Sequence, residues 1–382
     1  MTEGFYTTAA GEYHEPAVVI MSVLVALTVY ALLHYFVYAR VAHGLGLSSP
    51  GRVGLTIGLG LAALSFIAAQ AFSSASWVAP LLLAGAIWLG VLSIAATLFF
   101  TEWTLSLILH ERRRQITISA LGVLALLTSY TIVNGSRLPV VKNVTIALEK
   151  MPANVSGFTL VQLSDLHLGR LVSLERLGWI VDHVNDLSPD LVVITGDVID
   201  RDIWQEEAFG QQLKRIKARY AVLAIPGNHD YYAGYERFLE IARRSNITVL
   251  RNERLVFAGA IQVAGLDEPA GRSFAEGGPN LEKALAGNDP DRPTILLAHR
   301  PDGFLRAVAR KIDLQLSGHT HAGQIPPLEE LYWVIYPYSS GYYEKDGSRL
   351  YTSCGTGTWG PPMRLLSRNE IVRFTLVRKP SA

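Results

Sequence analysis

"PDLVVITGD", Pro189 to Asp197, is an apolar run of strand length that stops at a glycine and a carboxylate. It shows no polar alternation, so a strand built from it needs cover on both faces. Four further runs share the design: "FTLVQLSD" from Phe158, "AVLAIPGN" from Ala221, "TILLAH" from Thr294 and "LQLSGH" from Leu314. Between them, Leu174 to Leu187, Glu206 to Lys217, Tyr235 to Arg244 and Gly303 to Arg310 read as helices. Leu255 to Gly265 reads as a hairpin around Gly259, and Arg349 to Ser353 and Glu370 to Val377 as late strands. The alternation predicts an α/β domain. Ligand sites in open α/β sheets form outside the carboxyl ends of the strands. Five strands that end in polar, metal-competent residues therefore imply one convergent site.

Those strand-end residues are Asp165 and His167 in "SDLHLG", Asp197 in "TGDVID", Asn228, His229 and Asp230 in "PGNHDYY", His299 in "LLAHRPD", and His319 and His321 in "SGHTHAGQ". Carboxylates, imidazoles and an amide oxygen without sulfur suit Mn, Fe or Zn better than a thiolate zinc site. The ligands are too many for one ion. Two divalent ions sharing a bridging carboxylate would use them all. In an extended strand end, residues two apart point the same way, so one short loop could present both His319 and His321 to a single cavity.

The chain has 382 residues and a formal net charge of +1, which argues against a nucleic-acid footprint. The single cysteine, Cys354, excludes an intrachain disulfide framework. No lysine or aspartate occurs before Lys142. That first part holds four apolar stretches, at about 17–39, 53–72, 77–105 and 116–133, each long enough to cross a bilayer. They are apolar all round, as in membrane spans. We divide the chain into a transmembrane region, 1–136, and a soluble domain, 137–382, with Asn134 to Arg137 as the linker. Arg40 and Arg52 lie between the first two spans, and Arg112 to Arg114 between the last two. The positive-inside rule makes those loops cytoplasmic. The acidic N-terminus, the loop near Ser73 to Ser76 and the soluble domain then lie outside, with a cytoplasmic domain as the alternative. His34 and an interfacial Glu102 are the main ionisable residues within the spans, too few for a transport pathway.

The series D-x-H, G-D, G-N-H-D, H, G-H-x-H resembles the calcineurin-like metallophosphoesterase superfamily. "PDLVVITGD", "IPGNHDYY", "LSGHTHAGQIP" and "GTGTWGPPMRL" resemble its membrane-associated, bacterial YkuE- and YaeI-like branch. The likeness covers about Phe158 to Val377 and leaves the four spans without support. It implies two mixed β-sheets packed as a sandwich and flanked by helices. It also implies that Asp165, His167, Asp197 and His321 hold one metal ion, and that Asp197, Asn228, His299 and His319 hold a second, with Asp197 bridging. His229 would stabilise or protonate the leaving oxygen, oriented by a nearby carboxylate, for which Asp230 is the choice. Attack would come from a hydroxide shared by the two ions.

The resulting expectation is a multi-pass cell-membrane protein acting as a metal-dependent phosphohydrolase. A phosphodiesterase or pyrophosphatase is favoured, with a phosphorylated small molecule or a membrane-associated lipid or glycolipid phosphate ester as substrate. The alternative is a non-catalytic membrane sensor or assembly factor with a structural metal site. The oligomeric state stays open.

Other residues have two readings. Asp200 and Asp267 follow strands and are candidates for places just outside the ligands. Arg364 could reach a substrate phosphate or form a structural ion pair. Tyr231, Tyr232 and Trp359 form an apolar lip or cover the core. His183 reads as a solvated or capping histidine, Cys354 as a small buried residue, and His14, His43 and His110 as interfacial.

Overall fold

The computed structural model describes residues 16–72, 75–274, 277–325, 327, 334 and 336–380. Glu3, Glu12, His14 and Glu15, together with Ser73 and Ser74, lie outside the described residues.

The chain opens with four long helices: α1 (Pro16–Gly44), α2 (Ser49–Ala71), α3 (Ala79–Ile108) and α4 (Arg113–Ser136). Each is long and apolar enough to cross a membrane. Leu24, Leu32, Ile57 and Leu61 of α1 and α2 are exposed, whereas Leu92, Ile94 and Phe99 of α3 are buried. The third helix is therefore the core of the bundle. It lies close against α2 because Gly85 has no side chain; a Cβ there would come within 2.8 Å of the Phe66 Cα.

Two polar clusters pin the bundle. His34 accepts from the Trp88 indole at 2.9 Å and donates through Nδ1 to the Tyr30 carbonyl at 2.8 Å. At the other end, Glu102 is 1 % exposed among its neighbours. Arg40 donates to its two oxygens at 2.8 and 3.2 Å, and the Ser106 and Thr117 hydroxyls donate at 3.0 and 2.8 Å. A charge this deep is tolerated because a fork-shaped partner and two hydroxyls occupy its lone pairs.

Two six-stranded mixed sheets follow. One is ordered β1 (Val140–Leu148), β12 (Glu370–Arg378), β2 (Phe158–Leu163), β3 (Leu191–Thr195), β4 (Ala221–Ile225), β5 (Thr248–Val249). The other is ordered β10 (Gly341–Lys345), β11 (Ser348–Thr352), β9 (Leu314–Ser317), β8 (Thr294–Leu297), β7 (Ile261–Gly265), β6 (Glu253–Phe257). In the first, β2 to β5 run parallel; in the second, β11, β9, β8 and β7 do. The expected hairpin is β6–β7, and its turn residues Ala258 and Gly259 both have left-handed φ, at 51° and 65°, as a tight hairpin turn requires.

The run quoted first shows why the sheets stack. Leu191 and Val193 face the second sheet and pack with Ile295, Leu297, Leu314 and Leu316. Val192 and Ile194 face the other way, onto α5 (Leu174–Asp186), α6 (Glu206–Leu213) and α8 (Tyr235–Arg244), among Leu177, Val181, Phe209 and Phe238. A period of two divides one unbroken apolar run between two cores.

The segment at Asn134 is a packed joint rather than a slack linker. Helix α4 continues to Ser136, and buried Asn134 donates to the Arg364 and Ser367 carbonyls at 3.0 and 3.1 Å. Ile94 of α3 packs with Ile325 and Met363 of the sheet domain. A Cβ at Gly135 would meet the Pro362 carbonyl oxygen at 2.4 Å.

Candidate metal centre

Asp165 and His167 follow β2, Asp197 follows β3, and Asn228, His229 and Asp230 open the short helix α7 (Asn228–Ala233) after β4. His299 follows β8, and His319 and His321 follow β9. Parallel order brings these five ends to one edge of the sandwich. Among the described residues, three groups have ligand atoms within 4.8 Å of one another: Asp165 with His167 and His321; His167 with Asp197 and His229; Asp197 with His299 and His319. Asp197 belongs to two of these groups. Asn228 joins through its Oδ1, 3.3 Å from His299 Nε2. All nine residues singled out in the sequence are near one another, but one has a different job from the one expected.

The backbone at these strand ends is unusual. Asp165, His167, Asp197, His319 and His321 all have left-handed φ, between 47° and 72°. Such conformations are uncommon for residues with a Cβ and cluster at functional sites. His319 and His321 thus do not share an extended strand end; two left-handed turns bring their rings to one cavity. The motif glycines have a steric role. A Cβ on Gly227 would lie 2.1 Å from Asp197 Oδ1, and one on Gly318 would lie 2.3 Å from Asp165 Oδ2.

Hydrogen bonds orient the rings. His299 Nδ1 lies 2.8 Å from the Thr195 carbonyl, which can only accept, so Nδ1 carries a proton and Nε2 is the nitrogen that a metal ion would bind in place of a proton. His167 Nδ1 donates to Asp200 Oδ1 at 2.8 Å in the same manner. Its Nε2 faces His321 Nε2 at 3.0 Å and Asp197 Oδ2 at 3.8 Å. His299 Nε2 lies 3.2 Å from Asp197 Oδ2 and 3.2 Å from His319 Nδ1. The far nitrogen of His319 meets the Tyr336 hydroxyl at 3.1 Å. Asp165 accepts from the Ser164 hydroxyl at 2.5 Å and from the His319 amide at 3.0 Å. Imidazole nitrogens and carboxylate oxygens converging at such distances fit a cation that takes the place of ring protons.

Charge supports that fit. Burial would lower the pKa of His167 and His299, but Asp200 beside the first and Asp197 beside the second outweigh it, raising them to about 9 and about 10. Burial, then the neighbouring charges of His299 and His167 respectively, drives His319 and His321 well below the usual range. Burial would raise Asp197; His299 and His167 hold it far lower. Buried Asp165 is pushed up, chiefly by desolvation. Protons supply here the positive charge that metal ions compete to replace.

Asp230 does not meet the His229 ring. Its carboxylate is fully buried and accepts backbone N–H bonds from Val198, Ile199 and Gly227 at 2.9, 3.0 and 2.8 Å. Burial and the Asp197 charge raise it to about 7. The carboxylate at His229 Nδ1 is Asp200, at 2.8 Å. One oxygen, Asp200 Oδ1, therefore serves both His167 and His229. Burial would raise Asp200, but the two histidines hold it low.

Arg364 is fully buried and does not reach the cavity. It donates to the His321, Cys354 and Gly357 carbonyls and the Ser367 hydroxyl at 2.8–3.2 Å. It clamps the His321 loop with carbonyls, not with a carboxylate. Tyr231 belongs to the core, where it donates to Asp267 at 2.5 Å, whereas Tyr232 and Trp359 are 43 % and 45 % exposed at the site. His183 stacks on Trp179 on α5, away from the centre. Cys354 is half-buried, and burial lifts its thiol to about 12.

The centre opens into a cavity of about 520 Å³ whose walls include His319, His321 and Asn228 on one side and Leu33, Leu89, Leu92 and Ala96 of α1 and α3 on the other.

A family model described as calcineurin-like phosphoesterase matches residues 158–323. A Danio rerio transmembrane protein with metallophosphoesterase domain is 39 % identical over 68 % of this chain and 62 % of its own, so the match spans less than two thirds of that relative. A Helicobacter pylori metallophosphoesterase is 34 % identical over 72 % of this chain and 75 % of its own. Metallophosphoesterase YkuE of Bacillus subtilis is 34 % identical over 61 % of this chain and 83 % of its own.

Proposed function

Because the chain belongs to the calcineurin-like metallophosphoesterases, we propose that it is a membrane-anchored, binuclear-metal phosphohydrolase acting on a membrane-associated phosphate ester. The observation that carries this reading is the shared cavity: candidate metal ligands form one wall and apolar side chains of α1 and α3 the other. Asp165, His167, Asp197 and His321 are assigned to one ion, and Asp197, Asn228, His299 and His319 to the other. Two divalent ions, of Mn, Fe or Zn type, would supply charge neutralisation and an activated water. Residues 1–136 form the membrane region and 137–382 the phosphoesterase domain.

The chain's own groups do the rest. His229 carries the proton for the leaving oxygen, and Asp200 holds that ring by Nδ1 so that Nε2 is presented to substrate. The Asp197 carboxylate also accepts the His229 amide at 2.8 Å, which fixes the start of α7 against the ligand set. The arginines at 40, 52 and 112–114 support the reading that the phosphoesterase domain is extracytoplasmic.

The test is hydrolysis of bis(4-nitrophenyl) phosphate by the full-length protein in detergent with Mn²⁺. His229→Ala and Asp197→Asn should each lower the rate at least about a hundredfold. Wild-type inactivity, or unchanged rates in both variants, defeats the proposal. For topology, an alkaline-phosphatase fusion after Lys150 should be active.

A further inference from the structure

The centre has a second opening. Beside the cavity that reaches α1 and α3 lies another, of about 600 Å³, whose walls include Arg170, Arg201, Asp202 and Thr358 together with Phe66 and Leu82 of α2 and α3. Leu89, His167, His229, Trp359 and Pro361 line both. Asp197, Asn228, His319 and His321 line only the first; Asp200 lines only the second. The two spaces therefore differ in chemistry and meet at His229.

The first cavity follows α3 from Leu89 to Ala96, about 10 Å along the helix at its usual rise. Ala96 lies only six residues before Glu102, on a helix long and apolar enough to span the bilayer. The α1 and α3 wall of this space, Leu33, Leu89, Leu92 and Ala96, is apolar and suits a hydrocarbon chain. The second is lined by three arginines: Arg170 over the Trp204 ring at 5.6 Å, Arg201 donating to the Tyr232 carbonyl at 3.1 Å, and Arg237, which is paired with Glu206. A polar, hydroxyl- or phosphate-bearing group suits it.

We infer that the substrate is a lipid phosphodiester whose chain lies between α1 and α3 and whose polar headgroup, held under Arg170 and Arg201, is the leaving group. This rests on the phosphoesterase reading above. The direction of cleavage comes from the partition of the walls. In-line displacement expels the leaving group opposite the entering oxygen. Four ligand candidates, Asp197, Asn228, His319 and His321, line only the chain side, and Asp200, which holds the His229 ring, lines only the headgroup side. A water oxygen forms the new bond to phosphorus, and the P–O bond to the headgroup breaks. The headgroup oxygen keeps the electron pair and takes the His229 proton, which a water proton replaces. The products are the headgroup alcohol and a lipid phosphate monoester.

Three measurements on the full-length protein with Mn²⁺ test this. First, kcat/KM for alkyl 4-nitrophenyl phosphates should rise at least about tenfold from ethyl to dodecyl, since each buried methylene favours binding. Ala96→Trp and Leu33→Trp should collapse that ratio towards one. Second, dodecyl phosphoglycerol should give dodecyl phosphate and glycerol; dodecanol and glycerol phosphate overturn the direction. Third, in the metal-free protein a diazirine at the chain end of a dodecyl phosphodiester should label peptides carrying Leu33 or Leu92. Labelling confined to the outer faces of α2 and α4 overturns the chain site. If bis(4-nitrophenyl) phosphate is turned over but chain length has no effect, or neither glycerol product forms, the inference fails while the phosphoesterase reading stands. If no phosphate ester is cleaved, the earlier reading fails first.

Discussion

Asp200→Asn is the sharpest single perturbation, because one carboxylate oxygen holds two histidines with separate jobs. The replacement keeps shape and removes charge. At His167 it weakens the base behind a candidate ligand, and such outer partners are typically worth 10–100-fold in metal affinity, about 1.4–2.8 kcal/mol. At His229 it loosens the proton donor, so kcat at saturating Mn²⁺ should also fall. Complete loss of that donor bounds the effect at about 10²–10⁴-fold. The geometry makes the two losses separable. On a His229→Ala background, Asp200→Asn should cost nothing more in kcat yet still weaken metal binding. Metal affinity is read by competition with a fluorescent chelator, and kcat from bis(4-nitrophenyl) phosphate hydrolysis. Full additivity in kcat would show that Asp200 does not act through His229. Unchanged metal affinity would show that its bond to His167 is idle.

Glu102→Ala should lower the thermal midpoint in detergent, because it leaves the part-buried Arg40 without its carboxylate; fully buried pairs lose about 3–5 kcal/mol, which is the upper bound here, and an unchanged midpoint would mean the pair is hydrated. Arg364→Met removes four charge-assisted bonds, each about 1.5–3 kcal/mol before the relief of burying no charge, for a net loss on the order of 3 kcal/mol. Lysine should not rescue it, since a point charge cannot replace the fork. A raised KM with unchanged stability would instead place Arg364 on substrate. Removing metal with EDTA should lower the midpoint, as each ion held at a hundred times its Kd contributes about 2.7 kcal/mol. A chelator-insensitive midpoint refutes metal binding at the centre.

The strands and the seven ligand candidates were legible because each sits at the end of an apolar run, where the pattern of burial and the position of the site coincide. Asp200 was legible as a candidate just outside the ligands, where it holds His167, but its bond to His229 was not. Asp230 follows His229 in sequence, but α7 starts at Asn228, so adjacent side chains diverge by about 100° around the helix. Asp230 turns back to cap that helix, and Asp200 reaches His229 from the loop after β3. Arg364 misled for a related reason. A lone arginine beside glycines looks like an anion binder, and nothing in its neighbours announces that carbonyls 7–43 residues away enclose it. The left-handed turns at His319 and His321 likewise leave no mark beyond the glycines around them. The contact of α3 and α4 with Ile325 and Met363 depends on pairings too distant for local patterns to reveal.

That contact changes what the four helices are for. A chain begun after Ser136 would bare Ile325 and Met363, which are 2 % and 0 % exposed against the helices. It would also strand the carbonyls that Asn134 caps. Such a fragment gains a sticky face and loses one side of its cleft in the same cut. A chimera with an unrelated anchor would restore the address at the bilayer but not Leu33, Leu89 and Leu92. The helices are masonry of the cleft as much as a mooring, and selectivity should travel with them.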